Sequence, residues 1–154
     1  MDYYRSLNHK IHTALTLSRG DWGILVKAWI WLWYIDLFLR SQPFPRVQQF
    51  VANQHKVQQE ILPDKAWEII QHHQRFVTLA ARNHVYHMGC LRQALTLKAF
   101  LGEQGIATRL RFGVRKETDQ LLAHAWLEYE GQSIELSHDG KEHFQPLRTL
   151  EDRQ

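Results

Sequence analysis

The stretch NHVYHMGCLRQALTLKAFLGEQGI, residues 83–106, contains the only cysteine of the chain, Cys90, directly after a glycine. From Cys90 onward apolar residues recur with helical spacing on most sides, and Gly105 follows as a C-terminal helix signal. The pattern predicts a central helix over residues 90–104 that begins at the cysteine. Unpaired backbone N–H groups at such a position stabilise a thiolate, although a lone cysteine there is more often an inert packed residue.

Downstream of Gly105 the hydrophobic period changes from helical to two. Residues 106–116 (IATRLRFGVRK) alternate as a half-buried strand, and LLAHAWLEYE (121–130) and QSIELS (132–137) form two more, joined at Glu130-Gly131 as a hairpin. Upstream, Pro63 begins a helical pattern that runs over residues 64–82. Helices followed by an antiparallel sheet of at least three strands predict an α+β domain.

The most apolar segment is DWGILVKAWIWLWYIDLFLR, residues 21–40, for which Asp21 is the expected N-cap. Its length suits a membrane span, but Lys27 and Asp36 interrupt it, and a charge in the bilayer centre costs about 2.5–3.5 kcal/mol. The sequence leaves two alternatives open: a helix packed on the domain, or a helix that lies on a membrane or a partner protein. Two prolines in residues 40–46 end this segment.

Composition bounds the class of protein. A length of 154 residues, 44% of them hydrophobic, suits one globular domain. We expect an N-terminal helical region over residues 1–60 packed on a core over residues 61–154. The single cysteine excludes an internal disulfide and fits the cytoplasm, with membrane association as the alternative for residues 21–40. The net charge of +3, without a lysine or arginine run, predicts no nucleic-acid binding.

A nucleophilic thiol needs a base, and His124 is the candidate because it lies in an otherwise apolar strand. A histidine there loses hydration unless it has a partner, although such residues are usually satisfied core histidines. Asn83, His84 and His87 precede Cys90 and are candidate cleft residues, whereas Trp126 is expected to pack in the core. The pair His84 and His87 next to Cys90 lacks a further ligand for zinc, so we predict no metal and no cofactor.

The residues from Cys90 to Val114, CLRQALTLKAFLGEQGIATRLRFGV, followed by HAWLEYEGQ from His124, resemble the protease component of lasso-peptide biosynthesis in its free-standing form. That family belongs to the transglutaminase-like, papain-like cysteine proteases. The resemblance implies a leader peptidase for a ribosomally made precursor, with Cys90 as nucleophile and His124 as general base. It also implies a small leader-binding protein and a separate ATP-dependent lasso cyclase as partners.

The third catalytic residue is where this sequence departs from that family. The family often has an aspartate twelve residues after the histidine, and that position is Leu136 here. Because adjacent strand residues face opposite ways, Glu135 is the best candidate to orient His124, with Asp139 as the second choice. Two alternatives to a peptidase remain at this stage: an acyltransferase or transglutaminase of the same fold, and a scaffold that binds precursor with an inert Cys90.

Overall fold

A computed structural model describes residues 18–54, 61–117, 120–136 and 145–146. Helices come first and strands second, as the sequence predicts. The helices are α1 (Arg19–Ser41), α2 (Phe44–Ala52), α3 (Pro63–Arg82) and α4 (Cys90–Glu103). The strands are β1 (Arg109–Glu117), β2 (Gln120–Tyr129), β3 (Gln132–Ile134) and β4 (Gln145–Pro146).

Helix α1 begins earlier than the sequence suggested. Its N-cap is Ser18, whose side chain accepts a hydrogen bond from Asp21 N at 3.1 Å, while Asp21 accepts one from Ser18 N at 3.0 Å. This reciprocal pair satisfies two backbone N–H groups at the helix start, those of Ser18 and Asp21. Asp21 is therefore the third helical residue, and the expectation that it caps the helix is wrong.

Prolines explain the break between the first two helices. Pro43 has extended backbone angles and precedes α2, and Pro45 lies in the first turn of that helix, where a missing N–H costs nothing. From the sequence, the prolines in residues 40–46 predicted only the end of the apolar helix before them. A proline pair can also open a new helix, and here it does.

Helix α4 is the centre of the domain, as its apolar pattern predicts. Nine of its residues are buried, and it packs against α1, α2, α3 and the first two strands. Gly105 has a φ of +78°, and Ile106 N donates to Leu101 O at 2.9 Å, which is a Schellman ending. Because Ile106 uses its N–H to end the helix, β1 begins at Arg109 and not at Ile106.

The sheet has the strand order β3-β2-β1-β4 and is antiparallel at every pairing. Glu130 and Gly131 both have positive φ, 49° and 79°, as a two-residue hairpin between β2 and β3 requires. Alternate residues, including Leu110, Leu127 and Ile134, are buried on one face of the sheet. That face packs on α4.

The two edge strands differ most from the sequence prediction. Strand β3 stops at Ile134, because the Glu135 carbonyl accepts from Gln74 and the Leu136 carbonyl from Thr78, both side chains of α3. Helix side chains thus replace a strand partner there. Strand β4 has two residues, too short for any periodic signal, and pairs with Gly113 and Val114.

Candidate active site

The Cys90 thiol lies at the first residue of α4, half-buried against β2. Gly89 precedes it as N-cap without a side-chain cap, so the backbone N–H groups of the first turn stay available near the sulfur. A hydrogen bond with the His124 side chain is the largest influence on the thiol and lowers its pKa from the ordinary value of 9.0. Burial raises it, whereas the backbone N–H groups of Ala125 and Leu91 lower it further.

These contacts bring together the two residues that the sequence singled out. They are 34 positions apart along the chain and belong to different elements, the start of α4 and the middle of β2. A thiol next to an imidazole, at a helix N-terminus, is an arrangement that favours the thiolate. The geometry suits transfer of a proton between sulfur and imidazole.

Trp126 borders His124 and does not lie in the core. Its ring stacks on the imidazole, with centroids 5.9 Å apart and planes inclined by 19°. Alternation along β2 buries Ala125 and Leu127 on the core face, while His124, Trp126 and Glu128 are half-buried on the other. The expectation of a core tryptophan is wrong, although alternation along the strand already set Trp126 and Glu128 on the face of His124.

The residues between α3 and α4 have separate roles. Asn83 ends α3, with its side chain donating to Leu79 O at 2.8 Å. His84 stacks on Trp29 of α1, with ring centroids 4.6 Å apart, and its Nδ1 accepts from Tyr86 N at 3.2 Å. His87 lies by the helix start, since a Cβ built on Gly89 would be 4.0 Å from its Nε2. Of the three candidates, His87 is the one that lies next to the start of α4.

The described part of the chain contains no group of three histidine, cysteine, aspartate or glutamate side chains able to hold a metal ion.

Glu135 and Leu136 lie just beyond the end of β3, with different exposure. Leu136 is 2% exposed and belongs to the hydrophobic core, so the position of the family's aspartate is taken by a packed apolar side chain. Glu135 is exposed. The pairing of β3 with β2 ends at Leu127↔Ile134, and Glu135 lies against α3, where Gln74 donates to its carbonyl. Asp139 lies outside the described residues.

A buried ion pair behind the site was not anticipated from sequence. Asp36 of α1 is 7% exposed and accepts from Arg92 Nε at 2.5 Å and from Arg40 Nε at 2.9 Å. Burial raises the pKa of Asp36, but the hydrogen bonds from Arg92 and Arg40 outweigh it and hold that pKa below 3.8. Arg92 lies in the first turn of α4, so the pair fixes α1 to the helix that carries Cys90.

The family model for the transglutaminase-like superfamily matches residues 31–149. The chain belongs to the transglutaminase-like superfamily. That superfamily is mostly enzymatic and includes cysteine proteases and acyltransferases, and the helices-then-sheet order of this chain agrees with membership. No curated protein and no solved structure matches the chain. Within this transglutaminase-like domain, the thiol at the start of α4 and the imidazole on β2 are in hydrogen-bonding contact.

Outside the site, α1 presents a broad apolar face to solvent. Its members recur at helical spacing and keep 39–52% of their surface exposed: Trp22, Val26, Trp29, Ile30, Trp33, Tyr34 and Leu37. The opposite face of α1 is buried through Ala28, Leu32 and Ile35. Among the described helices, α1 is the one long and apolar enough to cross a membrane by length and composition, with 22% of that window buried.

Proposed function

We propose that this protein is a cysteine peptidase that removes the leader from a ribosomally synthesised lasso-peptide precursor. The observation that carries the proposal is the hydrogen-bonding contact between Cys90 and His124, with a thiol pKa held below its ordinary value. Membership of the transglutaminase-like superfamily supports covalent cysteine chemistry. The motif residues from Cys90 to Val114 and from His124 to Gln132 support the leader-peptidase assignment by their resemblance to that family.

The proposed reaction has two steps. The Cys90 thiolate attacks the carbonyl carbon of the scissile peptide bond, while backbone N–H groups in the first turn of α4 stabilise the oxyanion. His124 has taken the thiol proton and gives it to the leaving amine, so the C–N bond breaks and an acyl-enzyme remains. Water then attacks the thioester, His124 accepts its proton, and the leader leaves with a carboxylate.

Glu135 is the proposed orienting residue for His124. The support for this role is its place in the chain, directly after β3 and next to Leu136, the position where the family often has its aspartate. A carboxylate there would fix the imidazole tautomer and stabilise the imidazolium that forms during attack. Asp139 is the alternative for this role.

The second candidate reaction is acyl transfer, because the superfamily includes acyltransferases. Both reactions share the acyl-enzyme, and the acceptor decides between them: water gives hydrolysis, an amine gives an amide. Trp126 beside His124 narrows access for a bulky acceptor on that side, which favours water. The third candidate, a binding scaffold with an inert Cys90, does not need the thiol–imidazole contact at all.

The exposed face of α1 is where we propose that further components bind. The small leader-binding protein that the resemblance implies, or a membrane surface, would cover its aromatic side chains. Trp29 continues this face to the residues before Cys90 through its stacking on His84. A component that binds α1 therefore lies next to the entrance of the site, where a leader could be handed over, with the cyclase taking the released core peptide.

The test incubates the protein with a lasso precursor peptide that carries its leader, in the presence of an added amine, and identifies the products by mass spectrometry. A leader fragment ending in a free carboxylate, absent with Cys90→Ala, supports the peptidase. A leader fragment carrying the amine at its new terminus supports acyl transfer instead. Equal cleavage by wild type and Cys90→Ala would remove both enzyme assignments in this form.

A further inference from the structure

An open groove runs along one face of α3 and past the end of β3. Its volume is about 350 Å³. The lining residues recur at helical spacing on α3 and are mostly polar: Gln71, Gln74, Arg75, Thr78, Leu79 and Arg82, with Glu135 and Leu136 on the other side. None of these lining residues belongs to the exposed apolar face of α1.

The groove carries positive charge on its helical wall. Arg75 and Arg82 are both exposed, and neither forms an ion pair with any residue in the parts of the chain described above. The Arg75 guanidinium lies over the Phe76 ring, 5.8 Å from its centroid, which limits its freedom. Glu135 is the acidic lining residue, and we assign it to His124.

Both walls of the groove belong to segments that lead to the proposed catalytic pair. Arg82 is the last residue of α3, directly before the segment that leads into Cys90. On the opposite wall, Glu135 and Leu136 directly follow β3, which pairs with β2, the strand that carries His124. A chain lying in the groove would run between α3 and the end of β3.

We propose that this groove binds an acidic segment of the substrate peptide in extended form, with its carboxylates paired to Arg75 and Arg82. The proposal rests on the peptidase function proposed above and adds a substrate class to it. The two arginines are seven positions apart, about 10 Å along a helix that rises about 1.5 Å per residue. In the extended polyproline II conformation a peptide advances about 3.1 Å per residue with three residues per turn, so acidic residues three positions apart lie on one face, about 9 Å apart, and match the pair.

The test uses fluorescein-labelled peptides of ten residues with two aspartates three positions apart in a serine-alanine background. Matched peptides carry asparagine or lysine at those two positions. Fluorescence anisotropy with full-length Cys90→Ala protein measures binding without cleavage. We expect the aspartate peptide to bind at least about tenfold tighter than the asparagine peptide at low salt, and to weaken as salt rises.

Charge reversal locates the binding to the groove. Arg75→Glu/Arg82→Glu should lose the preference for aspartate and gain one for the lysine peptide, whereas Arg46→Glu on α2 should change neither. Circular dichroism checks that each variant is folded. Equal affinity for the aspartate and asparagine peptides, or an unchanged preference after reversal, overturns the proposal. If wild-type protein fails to cleave the precursor while Cys90→Ala still prefers the aspartate peptide, the peptidase function is overturned and the groove assignment stands.

Discussion

Asp36 in α1 is buried and forms an ion pair with Arg92 in α4. Arg92 lies two residues after Cys90. A second contact, the stacking of Trp29 on His84, joins the same helix to the residues that precede Cys90. Together they fix both sides of the α4 start to α1. Helix α1 therefore supports the position of Cys90 and also presents an exposed apolar face.

Asp36→Asn should lower the free energy of unfolding by about 2 kcal/mol, because hydrogen bonds to a buried charge are lost from two arginines. Urea unfolding at neutral pH measures it. Glu103→Gln is the matched control, since its pair with Lys27 is largely solvent-exposed and should contribute about 0–1 kcal/mol. Equal losses for the two variants would contradict a special role for Asp36.

The same pair predicts how stability depends on pH. The folded-state pKa of Asp36 lies below its ordinary value, so its contribution is present above the unfolded-state pKa and is lost as pH falls through the folded-state pKa. Wild-type protein should therefore lose stability between about pH 4 and lower values more steeply than Asp36→Asn. Parallel stability curves of the two proteins in acid would refute this.

The Cys90 thiol should react with iodoacetamide at a lower pH than an ordinary cysteine. Its pKa is lowered mainly by the hydrogen bond with His124, so the midpoint of the rise in alkylation rate with pH should lie below pH 9. His124→Ala should shift the profile upward, with about a tenfold lower rate at neutral pH for each unit that the pKa rises. An identical profile for wild type and His124→Ala would favour the inert-scaffold alternative.

Substitutions at Glu135 and Leu136 should have different effects, because Glu135 is the residue that we propose to orient His124. Glu135→Gln should lower kcat for precursor cleavage, with a loss about 10²-fold smaller than that of His124→Ala, and leave the unfolding free energy nearly unchanged. Leu136→Asp should destabilise the protein by about 3 kcal/mol without raising kcat, because it places a carboxyl in the core.

Two outcomes would overturn this assignment. Wild-type kcat in Glu135→Gln would pass the role to another acid, Asp139 being the next to substitute. A stable Leu136→Asp protein with increased kcat would show that the family's usual position can serve His124 despite its burial in this chain.

Helices α1, α3 and α4 and the hairpin of β2 and β3 were predictable because their signals are local. Periodicity, Pro63, Gly105 and the Glu130-Gly131 turn all act within a few residues of the structure that they determine. The end of β3 was not predictable, because it depends on Gln74 and Thr78, about sixty positions earlier in the chain. The Asp36–Arg92 pair was hidden for the same reason.

The candidate site shows the same division. Cys90 could be recognised from its place at a helix start, and His124 from its apolar strand. Alternation also set Trp126 on the face of His124, but a run of apolar residues did not show which face of β2 packs on the core, so the stacking of the two rings was missed. The groove along α3 could not be foreseen, because its second wall comes from beyond β3.

The exposed face of α1 should bind a partner protein or lipid through its tryptophans. Trp29→Ser/Trp33→Ser should abolish sedimentation with anionic liposomes or pull-down with the leader-binding protein, whichever the wild type shows, because interfacial tryptophans supply much of such binding energy. The unfolding free energy should fall only modestly, because Trp33 is exposed and Trp29 loses its stacking on His84 alone. Precursor cleavage that depends on the bound component should fall in parallel.

Trp31 is the matched control on the same helix. It is half-buried and contacts Phe50 and Phe100, with ring centroids 6.0 and 6.1 Å away. Trp31→Ser should therefore destabilise the protein by about 3 kcal/mol while leaving the exposed face intact for binding by the folded fraction. If wild type binds neither liposomes nor the leader-binding protein, this prediction is wrong, and α1 serves the site only through Asp36 and Trp29.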